Sequence, residues 1–206
     1  MNVLESHDLL EQVGQRLFPR RGIIWGVLGL FIFLFAQPHP LPFFAGICWM
    51  MGGEMLRIWG VGYIKNYRGP MKEVTDLTTA GPYAYVRNPL YLANGGIGIG
   101  IALLSGIYAA IPVFLIVFFL LYHPIINADE RFLRAQFPHD FLQYCQSVPR
   151  YFPRFTPYAH QEGAFSSQVV WEKEYHTFLT LFLVALLFYL RGFGGLRVFD
   201  QLFFWL

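Results

Sequence analysis

Charged side chains are scarce in this sequence. Only 14% of its 206 residues are charged, whereas 55% are hydrophobic. A soluble domain carries roughly 25% charged residues, so the composition excludes an ordinary soluble protein. The net charge of +2 is too small to indicate nucleic acid as a partner. We therefore expect a single membrane-embedded domain, with the lipid bilayer as its main surroundings.

Cysteine is also scarce, and the histidines are scattered. Cys48 falls in a predicted span and Cys145 in a predicted polar helix, so a disulfide between them is not expected. The six histidines form no H-x-x-x-H pair, and no metal site is predicted. The N-terminus lacks the basic start and the cleavage site of a signal peptide. Leucines and a valine at helical spacing predict an interfacial helix over residues 1–21 instead.

Long uncharged stretches dominate the rest of the chain. They cover residues 22–37, 38–53, 88–128 and 177–190. A crossing needs about 20 residues, so the third stretch is long enough for a hairpin of two helices that turns near Ser105. The pattern predicts an all-α integral membrane fold with about five transmembrane helices. The fourth stretch is short, and we expect it to be tilted, re-entrant or completed by the apolar tail 203–206.

The basic residues indicate how the chain is oriented. They lie before the first span, between the second and third, and between the fourth and fifth, as Arg16, Arg20, Arg21; Lys65, Arg68, Lys72, Arg87; and Arg131, Arg134, Arg150, Arg154, Lys173. The two short turns between spans, residues 37–42 and 105–107, contain no Lys or Arg. Because cytoplasmic loops are rich in Lys and Arg, we predict that the N-terminus and both long polar segments face the cytoplasm.

Charged residues beside membrane helices are costly and are therefore candidates for function. Glu54 and Arg57 lie three residues apart in the second span, which places them to pair on one helix face. Arg87 precedes the longest apolar stretch. Asp129 and Glu130 follow a span, in the run Asn127-Ala-Asp-Glu that is predicted to open a polar helix, and Pro138 is predicted to restart that helix. Each set also has a structural interpretation: an ion pair, a charge that sets topology, and helix capping.

Two sequence motifs favour a functional interpretation of these charged residues over a structural one. The run Gly81-Pro-Tyr-Ala-Tyr-Val-Arg-Asn-Pro-Leu-Tyr91 resembles the signature of the isoprenylcysteine carboxyl methyltransferase and phospholipid methyltransferase superfamily. A second block resembles it too: Asp129-Glu130, Phe132-Leu133, Phe137, Tyr144 and Val148-Pro149-Arg150. A weaker match is Gly53, Arg57 and Trp59. The resemblance covers about residues 50 to 155, in the family's order and spacing.

The resemblance implies a membrane-embedded enzyme that uses S-adenosylmethionine bound in a cytoplasmic segment and acts on a lipophilic or lipidated substrate. It implies a methyltransferase core over residues 22–155. The extension 156–206, with its short hydrophobic helix, has no counterpart in the family pattern. The implied cofactor-binding residues are Gly81, Tyr83, Arg87, Pro89, Tyr91 and Glu130. The implied catalytic residues are Arg87, Asn88, Asp129 and Glu130.

The implied roles agree with the chemistry of these side chains. The faces of Tyr83 or Tyr91 attract a sulfonium cation. Arg87 is suited to hold the cofactor's carboxylate, and Glu130 to accept from its ribose. Asn88 replaces the family's histidine, so no histidine base is expected there. Asn-Pro also occurs in phosphatidylethanolamine methyltransferase-like relatives, which favours a lipid substrate.

The methyl acceptor stays open at this point. A carboxylate acceptor needs no base, whereas an amine must lose a proton, and Asp129 and Glu130 are the best available bases. Because Arg87 would weaken either acid as a base, the sequence leans slightly towards an acceptor that needs none.

Two other functions compete: a sterol-type reductase using NADPH, and a non-catalytic membrane protein. No pyrophosphate-binding glycine fingerprint follows a strand. Gly96-x-Gly98-x-Gly100 instead favours close helix packing.

Overall fold

The computed structural model describes residues 12–64, 74 and 76–194, and this part of the chain contains helices and no strand. We number its helices α1 (Arg21–Leu34), α2 (Pro40–Val61), α3 (Pro89–Leu104), α4 (Ala110–Gln136), α5 (Pro138–Ser147) and α6 (Ser167–Gly192). Short 3-10 turns lie at Phe18–Arg20 and Gly81–Ala84. The predicted all-α class is confirmed.

Among the described residues, three helical stretches are both long and apolar enough to cross a membrane: Gln12–Leu34, Ala110–Gln136 and Ser167–Gly192. Helix α3 is apolar but has only 16 residues, about 24 Å of helix, against a hydrocarbon core of roughly 30 Å. Helix α2 has 22 residues, and Glu54 and Arg57 interrupt its apolar sequence. The chain is therefore an all-α membrane protein, and three spans, rather than the predicted five, meet both criteria.

The first and last helical stretches of the described chain are longer than the uncharged stretches of the sequence that they overlap. Ser166 caps α6 by accepting a hydrogen bond from the backbone N–H of Val169. The helix that begins after this cap has 26 residues and is long enough to cross the membrane without the apolar tail. The tail 203–206 lies outside the described residues, as do residues 1–11 of the predicted N-terminal helix. Residues 12–17 are helical, and Gly14 packs so tightly on α4 that a Cβ there would overlap the carbonyl oxygen of Pro124.

Helix α4 continues further than the sequence indicates. The predicted new helix starting at Asn127 is wrong, because α4 runs unbroken to Gln136 with Pro124 inside it. The Asn127 side chain donates to the carbonyl of His123, one turn earlier, rather than capping a new helix. Asp129 and Glu130 therefore lie inside a long helix. The predicted restart at Pro138 is confirmed, since α5 begins there.

Glycines bring α2 and α3 into close contact. A Cβ on Gly53 would lie 2.8 Å from the backbone nitrogen of Ile97, and one on Gly100 would lie 2.8 Å from the carbonyl oxygen of Gly46. Neither position has room for a larger residue, as the glycine pattern predicts. The close approach places Arg57 on α2 beside Asn94 on α3.

The short turns meet at one end of the bundle. The backbone of Gln37 donates to the carbonyl of Ser105 at 2.7 Å, which joins the α1–α2 turn to the hairpin turn between α3 and α4. Gly106 has a φ of 72° there, which favours glycine. Arg191, near the end of α6, donates to the carbonyls of Ala36 and Leu34. The predicted hairpin near Ser105 is thus present.

The opposite end, which we call the polar end, holds the long connections. Residues 149–166 fold back over the 3-10 turn that precedes α3. Their backbone contacts include Arg87 N to Pro149 O at 2.9 Å and Tyr158 N to Ala84 O at 2.9 Å. Phe141 of α5 is buried in a cluster with Tyr158 beneath this connection. The starts of α1, α3 and α6 and the ends of α2 and α4 therefore share one end.

Candidate active site

A cavity of about 1010 Å³ opens at the polar end between α1, α3 and α4. Its volume is at the upper end of the roughly 300–1,000 Å³ typical of ligand sites. One part is polar and contains Arg87, Asn88, Asp129 and Glu130. The other part is apolar and is lined by Leu28, Ile32, Ile97, Ile101 and Phe114. A molecule with a polar group and an apolar chain fits such a division.

The cavity collects nearly all of the predicted site residues: Tyr83, Arg87, Asn88, Pro89, Tyr91, Asp129 and Glu130. Gly81 is the exception, since it is not among the lining residues. It has a φ of 62°, and a Cβ there would overlap the ring of Tyr63. In this structure glycine is needed at position 81 for the backbone turn and for the close approach of Tyr63.

Glu130 is the centre of a hydrogen-bond network. Arg87 donates to both of its oxygens, at 3.1 and 3.3 Å. Asn88 donates to Oε1 at 2.9 Å, and Arg150 donates to Oε2 from two nitrogens at 3.0 and 2.6 Å. Only 5% of Glu130 is exposed. Both carboxylate oxygens are thus already engaged by protein donors, which makes Glu130 a poor proton acceptor.

Arg87 also fixes α5 against the site. Its Nη1 donates to the carbonyls of Cys145 and Val148, at 3.2 and 3.0 Å, where α5 ends. Tyr144 donates to the carbonyl of Tyr83 at 2.6 Å, and burial raises the pKa of Tyr144, which keeps the phenol protonated. Arg87 is therefore largely occupied by protein partners in this structure.

Asp129 has a different environment from its neighbour. Among the described residues its hydrogen-bond donor is the hydroxyl of Tyr91, to Oδ2. The residue is partly exposed and lines the cavity, with Arg21 of α1 also in the wall. Arg87, which the sequence suggested would weaken both acids as bases, contacts Glu130 and not Asp129. Asp129 is the acid that remains accessible to a ligand.

A second polar cluster lies deeper in the wall. Arg57 donates to both oxygens of Glu174, at 2.7 and 3.1 Å, and to Oδ1 of Asn94 at 2.7 Å. The predicted pairing of Glu54 with Arg57 is wrong, because α6 supplies the partner. Both oxygens of Glu54 are buried and accept no hydrogen bond from the described residues.

Sequence reasoning missed several residues in the cavity wall or directly behind it. Glu174 gave no signal, since it lies in a charged flank, Glu172-Lys173-Glu174, of a segment without a family counterpart. Asn94 did give one, as a polar residue within the apolar stretch of α3. Trp25 of α1 was missed as well. Its Nε1 donates to the hydroxyl of Tyr122 at 3.2 Å, which links α1 to α4 across the cavity.

Comparison with known families decides the relationship. Residues 41–140 match the family model described as phospholipid methyltransferase. This segment is similar to that family. It contains Arg87, Asn88, Asp129 and Glu130, and it ends before Glu174. The resemblance drawn from the sequence is thereby confirmed, and the family is one of membrane methyltransferases. No solved structure matches the chain.

Two curated proteins are similar over part of the chain. The cobalt-zinc-cadmium resistance protein CzcN of Cupriavidus metallidurans is 30% identical over 58% of this chain and 52% of its own length. The nickel-cobalt-cadmium resistance protein NccN of Alcaligenes xylosoxydans xylosoxydans is 34% identical over 48% of this chain and 44% of its own length. The chain thus spans about half the length of these relatives. Its described residues contain no group of three His, Cys, Asp or Glu side chains arranged to hold a metal.

Proposed function

We propose that this protein is an S-adenosylmethionine-dependent methyltransferase that acts on an amphiphilic, membrane-resident acceptor. The observation that carries the proposal is the two-part cavity. The residues of the family segment meet in its polar part, and apolar side chains of α1, α3 and α4 line the rest. Such a cavity holds the reacting head of a lipid at the polar end while its chain stays among the helices.

The residues of the polar part suit the cofactor. S-adenosylmethionine supplies an electrophilic methyl group on a sulfonium. Tyr83 and Tyr91 both line the cavity, and aromatic faces attract such a cation. We propose that Glu130, held by Arg87, Asn88 and Arg150, forms the rigid wall of this subsite. The affinity for the cofactor would then depend on this hydrogen-bond network as a unit rather than on Arg87 alone.

Asp129 is proposed as the proton acceptor. Its carboxylate faces the cavity and accepts from Tyr91, whereas both oxygens of Glu130 are occupied. The argument that favoured an acceptor needing no base relied on Arg87 weakening both acids, and Arg87 is engaged with Glu130. We therefore propose an amine acceptor. Alignment of the nucleophile with the methyl group contributes roughly 7–11 kcal/mol in well-oriented reactions.

The polar end is proposed to face the cytoplasm. Among the described residues, Arg87, Arg131, Arg134, Arg150 and Arg154 all lie at this end, and the positive-inside rule assigns such an end to the cytoplasm. The cofactor would then enter from the cytoplasm.

The test uses purified protein, labelled S-adenosylmethionine and two acceptor classes: a phospholipid amine and a prenylcysteine carboxylate. We expect transfer to the amine, with a single-turnover rate that rises between pH 6 and 9. Asp129→Asn should lower that rate by roughly 10²-fold or more at neutral pH, because the amine then has no positioned acceptor for its proton. Glu172→Gln, at an exposed position of α6, is the control.

Other results would contradict the proposal. A flat pH profile with transfer to the prenylcysteine would exclude Asp129 as a base, because a carboxylate acceptor is already ionised throughout this range and has no proton to lose. Binding of a reduced nicotinamide instead of S-adenosylmethionine would favour a reductase. Binding of neither cofactor would favour a non-catalytic protein.

A further inference from the structure

Asn94 has a fixed orientation in the wall of the cavity. Its Oδ1 accepts from Nη1 of Arg57 at 2.7 Å, and a guanidinium is only a donor, so this end of the amide must be the oxygen. The two N–H donors of Asn94 therefore point away from Arg57. Asn94 lines the cavity, as does Tyr122, whose hydroxyl accepts from Trp25 and also interacts with the Asn94 side chain. One N–H of Asn94 is therefore directed at Tyr122, and the other is the donor for a ligand.

The depth of Asn94 is informative. It lies five residues after Pro89, which begins α3 at the polar end, so it is about 7.5 Å deeper along the helix. Ile97 and Ile101 follow on the cavity side of the same helix. Asn94 thus stands where the lining changes from polar to apolar.

Two buried charges hold this amide. Glu174 and Arg57 are only 2% and 7% exposed, and they form a bidentate pair between α6 and α2. Ionisable groups at membrane depth are costly and usually serve a ligand or a partner. Packing alone would be served as well by apolar residues of similar size.

We propose that Asn94 is a specificity-determining donor that recognises a carbonyl oxygen of the acceptor, and that Arg57 and Glu174 are its positioning residues. The inference rests on the proposed function and names the substrate class more closely. In an ester- or amide-linked lipid, carbonyl oxygens lie between the polar head and the apolar chains. The cavity has the same order: Asp129, then Asn94, then Ile101.

The experiment compares two lipids with the same ethanolamine head and chain length, one with diacyl ester linkages and one with dialkyl ether linkages. Only the diacyl lipid has the carbonyl oxygens. At subsaturating lipid, we expect the wild-type protein to methylate the diacyl lipid about tenfold faster, the scale of one hydrogen bond. Native mass spectrometry of the purified protein should show the same preference in lipid retention.

Two variants test the residues. Asn94→Asp keeps an oxygen for Arg57 but removes both N–H donors, so the preference should fall to about one or below. The double variant Arg57→Met with Glu174→Leu removes both members of the pair together, and should also lose the preference. Glu172→Gln should keep it. A loss of structure would lower the rates with both lipids equally, whereas a lost donor changes their ratio.

The outcomes separate this inference from the proposed function. Equal rates and retention for both lipids in the wild-type protein, or an unchanged preference in Asn94→Asp, would overturn the inference while methyl transfer still stands. No transfer to either lipid and no retention of either would overturn the proposed function and the inference with it.

Discussion

Removing the Glu130 carboxylate should destabilise the fold strongly. In Glu130→Ala, Arg87 and Arg150 lose their common partner, and the side chains of these arginines are only 13% and 27% exposed. Breaking a buried ion pair by deleting one partner costs about 3–5 kcal/mol, because the remaining charge is left uncompensated. We expect a loss of this size in the free energy of unfolding. Asp129→Asn, on the same helix, affects one hydrogen bond and should cost about 1.5 kcal/mol or less.

The assay is reversible unfolding in mixed micelles, with an increasing fraction of denaturing detergent and helix content followed by circular dichroism. Glu130→Gln should fall between the two variants, because its amide oxygen still accepts from one guanidinium. If Glu130→Ala were as stable as Asp129→Asn to within about 1 kcal/mol, the network would not hold the polar end together. Glu130 would then be better explained as a ligand-binding group.

Three further predictions concern other parts of the molecule. Gly29 lines the cavity, and a Cβ there meets nothing within 4 Å. Gly29→Leu should therefore project into the cavity and lower kcat/KM for long-chain acceptors at least about tenfold. Gly26→Leu, at an equally open position outside the cavity, should leave kcat/KM unchanged. Burial raises the pKa of the Cys145 thiol, so its thiolate fraction at pH 7 is below that of a free cysteine. Maleimide labelling of Cys145 should therefore be slower than in the denatured protein. The labelling rate should increase about tenfold per pH unit until the pH reaches the raised pKa. In a cysteine-free background, Arg134→Cys should be labelled from the cytoplasmic side and Tyr108→Cys from the outside of intact cells; the reverse pattern would overturn the orientation.

The sequence was most informative where a motif combined residue types with fixed spacing. Arg87 and Glu130 are 43 residues apart, and the family resemblance placed both at one site because it covered both flanks of the hairpin. It did not reveal the different environments of Asp129 and Glu130. Those depend on Arg150, which reaches Glu130 from a connection that folds back over α3. The spacing of residues along the chain does not predict that this connection folds back and brings Arg150 to Glu130.

Two sequence predictions failed for physical reasons. Glu54 and Arg57 share a helix face, but proximity on one helix says nothing about which neighbouring helix supplies a better partner. Glu174 comes from 117 residues later and satisfies two nitrogens of Arg57. The boundary at Asn127 failed because an asparagine caps a helix or bonds back within one, and the tertiary surroundings decide between these.

The pair between Arg57 and Glu174 has a consequence for membrane insertion. During synthesis, α2 enters the bilayer while its partner on α6 has not yet been made. Until then, Arg57 lacks Glu174 and shares the helix with one other ionisable residue, Glu54. An arginine at the bilayer centre costs about 2.5–3.5 kcal/mol. This cost favours a shallow or mobile α2 while α3, α4 and α5 are synthesised. The arrival of α6 supplies Glu174, so the charge in the cavity wall acquires its partner only when the last described helix has been made.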